Sequence, residues 1–293
     1  MLHLGAAPRQ FGKDLYAKIQ QDHITNGAAA LAFYWMLALF PAAIFMLTLL
    51  PYLPVHNLEQ AIMDALKQAM PGDAAKMFEE TVRNIVSNRQ AGLLSFGFLF
   101  TMWSASSGLA AMIEELNNVH DVEEKRPFWK VRAIALLLTL ACFVLTIGAL
   151  TLALAGGAVQ DRVGAVLGVS QALLLFFTVL RWLIIAGALM LALALVYHYG
   201  PSVKKVRLSL VTPGTVVGTL ALALASLVFK VYVGHFGSYD KTYGSLGAVI
   251  ALLMWLFVTG FVLLFGAEVD VVAQKRRSRR TDRTATGSYA QPA

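Results

Sequence analysis

Among 293 residues there is a single cysteine, Cys142, and it lies inside an apolar run. Neither a disulfide framework nor a thiolate metal site can be built from it. Charge is also scarce: 14% of residues are Asp, Glu, Lys or Arg, against about 25% in soluble domains. The histidines, at positions 3, 23, 56, 120, 198 and 235, are scattered. None sits in an H-E-x-x-H pattern or beside a cysteine, so no metal site is predicted. A P-loop is missing, which argues against ATP-driven pumping, and so is the G-x-S-x-G of a serine hydrolase. No cofactor is implied, and the chain does not read as an enzyme. The first 27 residues are polar and of mixed charge, unlike a signal peptide with its short apolar stretch and cleavage site.

What the chain has is apolar length. Hydrophobic residues make up 58% and the mean hydropathy is +0.64, so a bilayer must be the solvent for most of it. A spanning helix needs about 20 mostly apolar residues, and six runs qualify: 28–53, 92–116, 133–155, 172–199, 208–233 and 244–273. They are continuous and lack the alternation of barrel strands. The predicted fold is therefore all-α and polytopic, with six transmembrane helices. Sixteen Lys and Arg residues fall on the side of the two termini and six on the other. By the positive-inside rule both termini are cytoplasmic. The formal charge of +7 belongs to these flanks, and no nucleic-acid partner is expected.

Three segments lie outside the spans. Residues 1–27 form a cytoplasmic arm in which Phe11, Leu15, Tyr16 and Ile19 recur at helical spacing, predicting a short interfacial helix. Residues 54–90 carry two amphipathic stretches, around Leu58, Ile62 and Leu66 and around Phe78, Val82 and Ile85. Pro71-Gly72-Asp73 separates them, which predicts a periplasmic helical hairpin. Residues 274–293 form a basic tail, expected to be disordered near anionic headgroups.

Within the 28–273 membrane domain, small and polar residues carry the remaining information. Gly214 and Gly218 form a G-x-x-x-G, and Gly244 opens the last span; close helix packing is the plain reading. Pro41 is placed to kink the first span. Arg181 lies about 15 Å deep in the fourth span, and a charge there costs about 2.5–3.5 kcal/mol. Nine leucines of that span offset roughly 4 kcal/mol, so it still inserts. Arg181 then needs a partner, whether carbonyls of a neighbouring helix, water, an acid or an anionic ligand. The cavity reading lines a lipid-open pocket with Arg181, Glu114, Asn117, Asn118, Glu268, Tyr34 and Tyr243, and makes anionic lipid headgroups the partner. The plain alternative turns the acids into an interfacial salt-bridge network and Arg181 into a helix tie.

Several motifs together resemble the YihY/virulence factor BrkB family of bacterial inner-membrane proteins, over about residues 11–274. They are Asp22, the run Ala28-Ala29-Ala30-Leu31-Ala32-Phe33-Tyr34, Phe40-Pro41, and the stretch from Trp103 to Asn117. Arg126-Pro127-Phe128-Trp129 with Arg132, Tyr197, Gly200-Pro201 and Pro213-Gly214 match as well. The most specific are Tyr243-Gly244-Ser245-Leu246-Gly247, Trp255 and Gly266-Ala267-Glu268. Ala38 and His120 depart from the family's habit of a small hydroxyl and an aromatic residue there. The resemblance implies an envelope protein connected with membrane integrity, serum resistance and lipid or solute transport. It also implies that the ribonuclease BN label once carried by the family is a misassignment. Three functions stay open: a transporter or lipid-handling protein, a non-transporting envelope scaffold, and a membrane-bound ribonuclease.

Overall fold

A computed structural model describes residues 6–49, 91–167, 170–203, 209–235 and 245–288. Seven helices and no strand occur among the described residues. They are α1 (Ala6–Gln21), α2 (Ile24–Leu49), α3 (Ala91–Val119), α4 (Phe128–Leu167), α5 (Gln171–Tyr199), α6 (Pro213–His235) and α7 (Ser245–Ser288). Stretches of α4, α5, α6 and α7 are long and apolar enough to cross a membrane, and α2 holds a shorter apolar stretch, Ile24–Leu39. Helices α2 and α3 occupy the positions expected for the first two of six spans. The proposed hairpin at 54–90, and Tyr243 and Gly244, lie outside the described residues.

The chain divides into two compact units, one of Met1–Phe33 with Leu109–Ala293, the other of Tyr34–Gly108. In the smaller unit the Thr101 hydroxyl donates to the Pro41 carbonyl at 2.7 Å, and the Trp35 ring covers Gly108. Helix α2 runs on past Pro41 to Leu49.

In the larger unit the packing is residue-specific. Ile113 of α3 is buried with Ala135 and Leu138 of α4, and Leu195 of α5 closes over them. Ala28 and Leu31 of α2 are fully buried and approach Gly260 of α7. Apolar burial is no driving force between helices in lipid, so close packing and hydrogen bonds hold such an interior together. The outward faces agree: Leu137, Leu175, Leu183, Leu220 and Leu224 are each more than 60% exposed, a surface for acyl chains.

Helix boundaries follow local chemistry. α1 and α2 meet at Asp22 and His23, the latter at φ 49°, a left-handed turn that histidine enters more readily than most residues. Asp121, at φ 55°, turns the chain after α3. Pro127 precedes α4, and its carbonyl accepts the first helical bond, from Lys130. α6 opens on Thr212-Pro213-Gly214-Thr215: the Thr215 amide donates to Thr212 Oγ1 at 3.0 Å, and the Thr212 amide donates to Thr215 Oγ1 at 2.9 Å. Reciprocal bonding of this kind satisfies two amides that the helix leaves free.

The tail differs from expectation. α7 continues as helix to Ser288, through 274–288 where disorder was predicted. An existing helix extends without a nucleation cost, and Lys, Arg and Gln are good helix formers. Lys275 and Arg276 are also anchored, by Asp121 at 2.9 Å and Asp14 at 2.7 Å.

Candidate functional site

Many polar residues of the larger unit gather at one end, where α1 joins α2, α3 turns into α4, and α5 gives way to α6. We call it the basic end. Arg126 organises one part. Its guanidinium donates to the Gly200 carbonyl at 2.7 Å and the Tyr199 carbonyl at 3.4 Å, placing a cation where the α5 macrodipole is negative. The same guanidinium pairs with both oxygens of Glu124, at 2.8 and 2.6 Å, and holds that carboxyl down at about 2. Asn117, buried, donates to Glu124 at 2.9 Å and accepts from the Ser202 amide at 2.7 Å. It thereby ties α3 to the loop after α5.

A second part is built on α7. Asp270 accepts the Gly214 amide at 2.7 Å and the Thr212 hydroxyl at 2.6 Å, so a carboxylate sits on the positive end of α6. That bond requires the backbones to touch: a Cβ at Gly214 would fall onto the Gly266 carbonyl and within 2.5 Å of Asp270 Cγ. One at Gly218 would meet Leu193 Cδ1 at 3.3 Å. The Tyr197 hydroxyl crosses from α5 to the Leu263 carbonyl at 2.5 Å. Gly214, Gly218 and Gly266 thus let α6, α7 and the Tyr197 tip meet at one level.

Beside this junction lies a cavity of about 250 Å³, with His120, His198, Thr212, Asp270, Gln274 and Arg277 among its walls. Ala194, Val211, Ala267 and Ala273 supply an apolar side. His120 Nδ1 is 2.8 Å from the Leu116 carbonyl, so the proton sits on that nitrogen and Nε2 carries the lone pair. Burial lowers the basicity of this imidazole, which keeps it neutral near pH 7. His198 Nδ1 is shielded from solvent and has no hydrogen-bond partner.

A third group involves α1. Lys18 is buried and pairs with Asp22 one turn on, and its ammonium also reaches Asp121 at 3.2 Å. Desolvation works against its charge, but the bonds to Asp22 and Asp121 outweigh it, and the ammonium titrates above its ordinary range. Asp121, bonded by Lys275 and Lys18, is held below the usual carboxylate range. Glu268 lies behind this group. It is 0% exposed, and neither of its oxygens has a hydrogen-bond partner.

The residues singled out from sequence are therefore spread over several places. Asn117 and Glu268 are buried at the basic end, in different groups. Asn118 is exposed there and lies 3.4 Å from Glu115, while Glu114 is exposed on α3. Tyr34 belongs to the smaller unit and is 40% exposed. Arg181 is not among the residues lining the cavity. It lies sixteen residues before Tyr197, about 24 Å along α5. Its Nε and Nη1 are shielded and have no hydrogen-bond partner, and Nη1 is 3.1 Å from where a Cβ on Gly157 of α4 would lie.

Sequence reasoning passed over Thr212, Lys18, His198 and Arg277 as site residues. Thr-Pro-Gly-Thr is a readable helix start, and Lys18 with Asp22 is an i,i+4 pair. Nothing in the sequence joins either to α7. Among the described residues no three His, Cys, Asp or Glu side chains are grouped to hold a metal ion.

Comparison with known proteins follows the same lines. Residues 15–289 match the family described as Virulence factor BrkB. The chain is 33% identical over 267 residues to the ribonuclease-like protein YfkH of Bacillus subtilis, covering 91% of this chain and 96% of that protein. It is 29% identical to the UPF0761 membrane protein Smlt0865 of Stenotrophomonas maltophilia over 89% of this chain, and spans 60% of that relative's length. A UPF0761 membrane protein of Aeromonas salmonicida is 25% identical, with 88% and 87% of the two chains covered. No solved structure matches significantly.

Proposed function

The chain belongs to the virulence factor BrkB family of membrane proteins, and from that premise we propose that it is a transporter or lipid-handling protein of the bacterial envelope. It resides in the inner membrane with both termini and the basic end in the cytoplasm, a reading the distribution of Lys and Arg supports. It is not an enzyme; the ribonuclease-like name belongs to the Bacillus relative. Its ligand is an anionic headgroup or solute.

The observation that carries this reading is the cavity at the basic end. Asp270 already spends its charge on Gly214 and Thr212. The cavity wall also carries a cation, Arg277, with His198 and Gln274 as polar groups and an apolar side beside them. A shielded Nδ1 with no partner, as on His198, is the kind of orphan that a ligand or ordered water satisfies. Arg181 is a second station about 24 Å further along α5, a charge in an apolar span that an anion in transit would meet.

Native mass spectrometry of the protein extracted from mixed phosphatidylglycerol and phosphatidylcholine vesicles tests this. The wild type should retain the anionic lipid preferentially. Arg277→Gln combined with His198→Leu should weaken that retention about tenfold, the value of one charge-assisted bond. Equal retention of both lipids by the wild type, or no change in the double variant, would sink the reading. A non-transporting scaffold is the second reading, favoured by the Asn117–Glu124–Arg126–Gly200 ties, which hold helices and leave nothing over for a ligand.

A further inference from the structure

We propose that Glu268 and Asp22 together hold a single proton, exchanged with water through the open pocket beside Asp22. The site deepens the transport reading by naming the ion it would couple to, and rests on that reading only for the coupling.

Glu268 is the most fully enclosed charged side chain of the basic end: it is 0% exposed and both oxygens are unpartnered. Its neighbour is the carboxyl of Asp22, whose Oδ2 is taken by Lys18. Two carboxylates offer each other only lone pairs. Side by side and out of water they repel, and one proton between them turns the repulsion into a charge-assisted O–H···O⁻ bond.

The charged groups around the pair carry more negative than positive charge. α1 contributes Lys18, the turn between α1 and α2 contributes Asp22, the turn after α3 contributes Asp121 and Glu123, and α7 contributes Glu268 itself and Lys275, which bonds Asp121. His120 is also nearby and neutral near pH 7. Asp14 and Arg276 cancel each other, and Asp270 is engaged with α6. With Glu123 of the pocket wall, carboxylates outnumber the two ammonium groups. One proton on the enclosed pair lowers that excess where water cannot screen it. A metal cation would do so only by settling beside the Lys18 ammonium, which repels it.

Access is open. A pocket of about 400 Å³ is lined by Gln21, Asp22, His23, Asn118, Asp121 and Glu123. Water in it reaches Asp22, whereas Glu268 is fully enclosed and is not among the pocket walls. A proton arrives from water at Asp22, passes to a Glu268 oxygen, and returns the same way; no other bond changes. Intramembrane carboxyls that exchange protons are the working parts of many transporters.

Infrared spectroscopy of the protein in lipid nanodiscs, without any substrate, reads the site directly and independently of transport. Wild type near neutral pH should show the carbonyl band of a protonated carboxylic acid, lost at alkaline pH and shifted on transfer to D2O. Glu268→Gln should lose the band. Asp22→Asn should lose it too, because its amide donates to Glu268 and removes one negative charge, so the proton leaves. The two variants are independent, and either one that folds gives the answer. A wild type without the band, a band that persists in a folded variant, or a band that ignores D2O overturns the proposal.

Discussion

Arg181 carries its charge inside an apolar helix, with its guanidinium 5.9 Å from the Trp182 ring centroid. Its guanidinium sits among leucines, with Leu180, Trp182 and Leu183 exposed around it and Nη1 against Gly157. Arg181→Leu removes a cost of about 2.5–3.5 kcal/mol from insertion, so the variant should express and fold at least as well as the wild type. If the arginine serves an anion in transit, complementation of an envelope defect should be abolished. Full complementation would make it a helix tie. Glu124 behaves differently because it is paired at the water interface. Its carboxyl is depressed from an ordinary 4.5 to about 2 by the Arg126 guanidinium. A depressed acid contributes stability that is present above pH 4.5 and lost as pH falls through about 2. Thermal stability in detergent should therefore decline across that acid window in wild type and less so in Glu124→Gln. At neutral pH Glu124→Ala should cost about 1–2 kcal/mol, a charged hydrogen bond discounted for solvent.

At the scale of elements, α6 and α7 are joined by geometry more than by side chains. Any Cβ on Gly214 would strike the Gly266 carbonyl, which is backbone and cannot swing away. Gly214→Ala should lower thermal stability by about 1–3 kcal/mol, the usual cost of overpacking, and break the Asp270 cap. Gly187→Ala is the control, since nothing lies within 4 Å of its Cβ position, and it should stabilise by roughly 0.5–1 kcal/mol as alanine replaces glycine in a helix. A differential-scanning comparison in one detergent decides the matter; equal melting temperatures for the two variants would show that α6 and α7 do not pack this closely. The helical continuation of α7 belongs to this scale too. Asp14 and Asp121 hold Arg276 and Lys275 and so fasten the tail to α1 and to the turn after α3.

For the molecule as a whole, the membrane topology is the testable claim. In a Cys142→Ser background, Ala285→Cys should be labelled by a membrane-impermeant maleimide only after the inner membrane is opened, and so should Glu123→Cys. Labelling of Ala285→Cys in intact spheroplasts would reverse the orientation and remove the positive-inside argument. The same arrangement would put the Asp22 pocket and the cavity beside Asp270 on the cytoplasmic side, so both proposed sites exchange with one compartment in this conformation.

The helical membrane fold was legible in the residue order, because each span needs only its own run of apolar residues and each helix satisfies its own backbone. Family membership was legible as well, since Asp22, Arg126-Pro127, Pro213-Gly214 and Gly266-Ala267-Glu268 stand in a recognisable order. The place of Arg181 within a long apolar helix followed from counting as well. What no count could yield was which side chains share a space. Asp22 and Glu268 are 246 positions apart, and Asp270 meets Gly214 only because α6 and α7 touch backbone to backbone. Counting along the chain put Glu114, Glu115, Glu268 and Asp270 at inner helix ends, yet packing gave them different duties. Asp270 caps a helix, Glu115 lies against Gly27, and Glu268 is left without a hydrogen-bond partner. Those duties depend on rotation and close approach of helices, which are set by contacts between distant residues and by where glycine permits two backbones to meet.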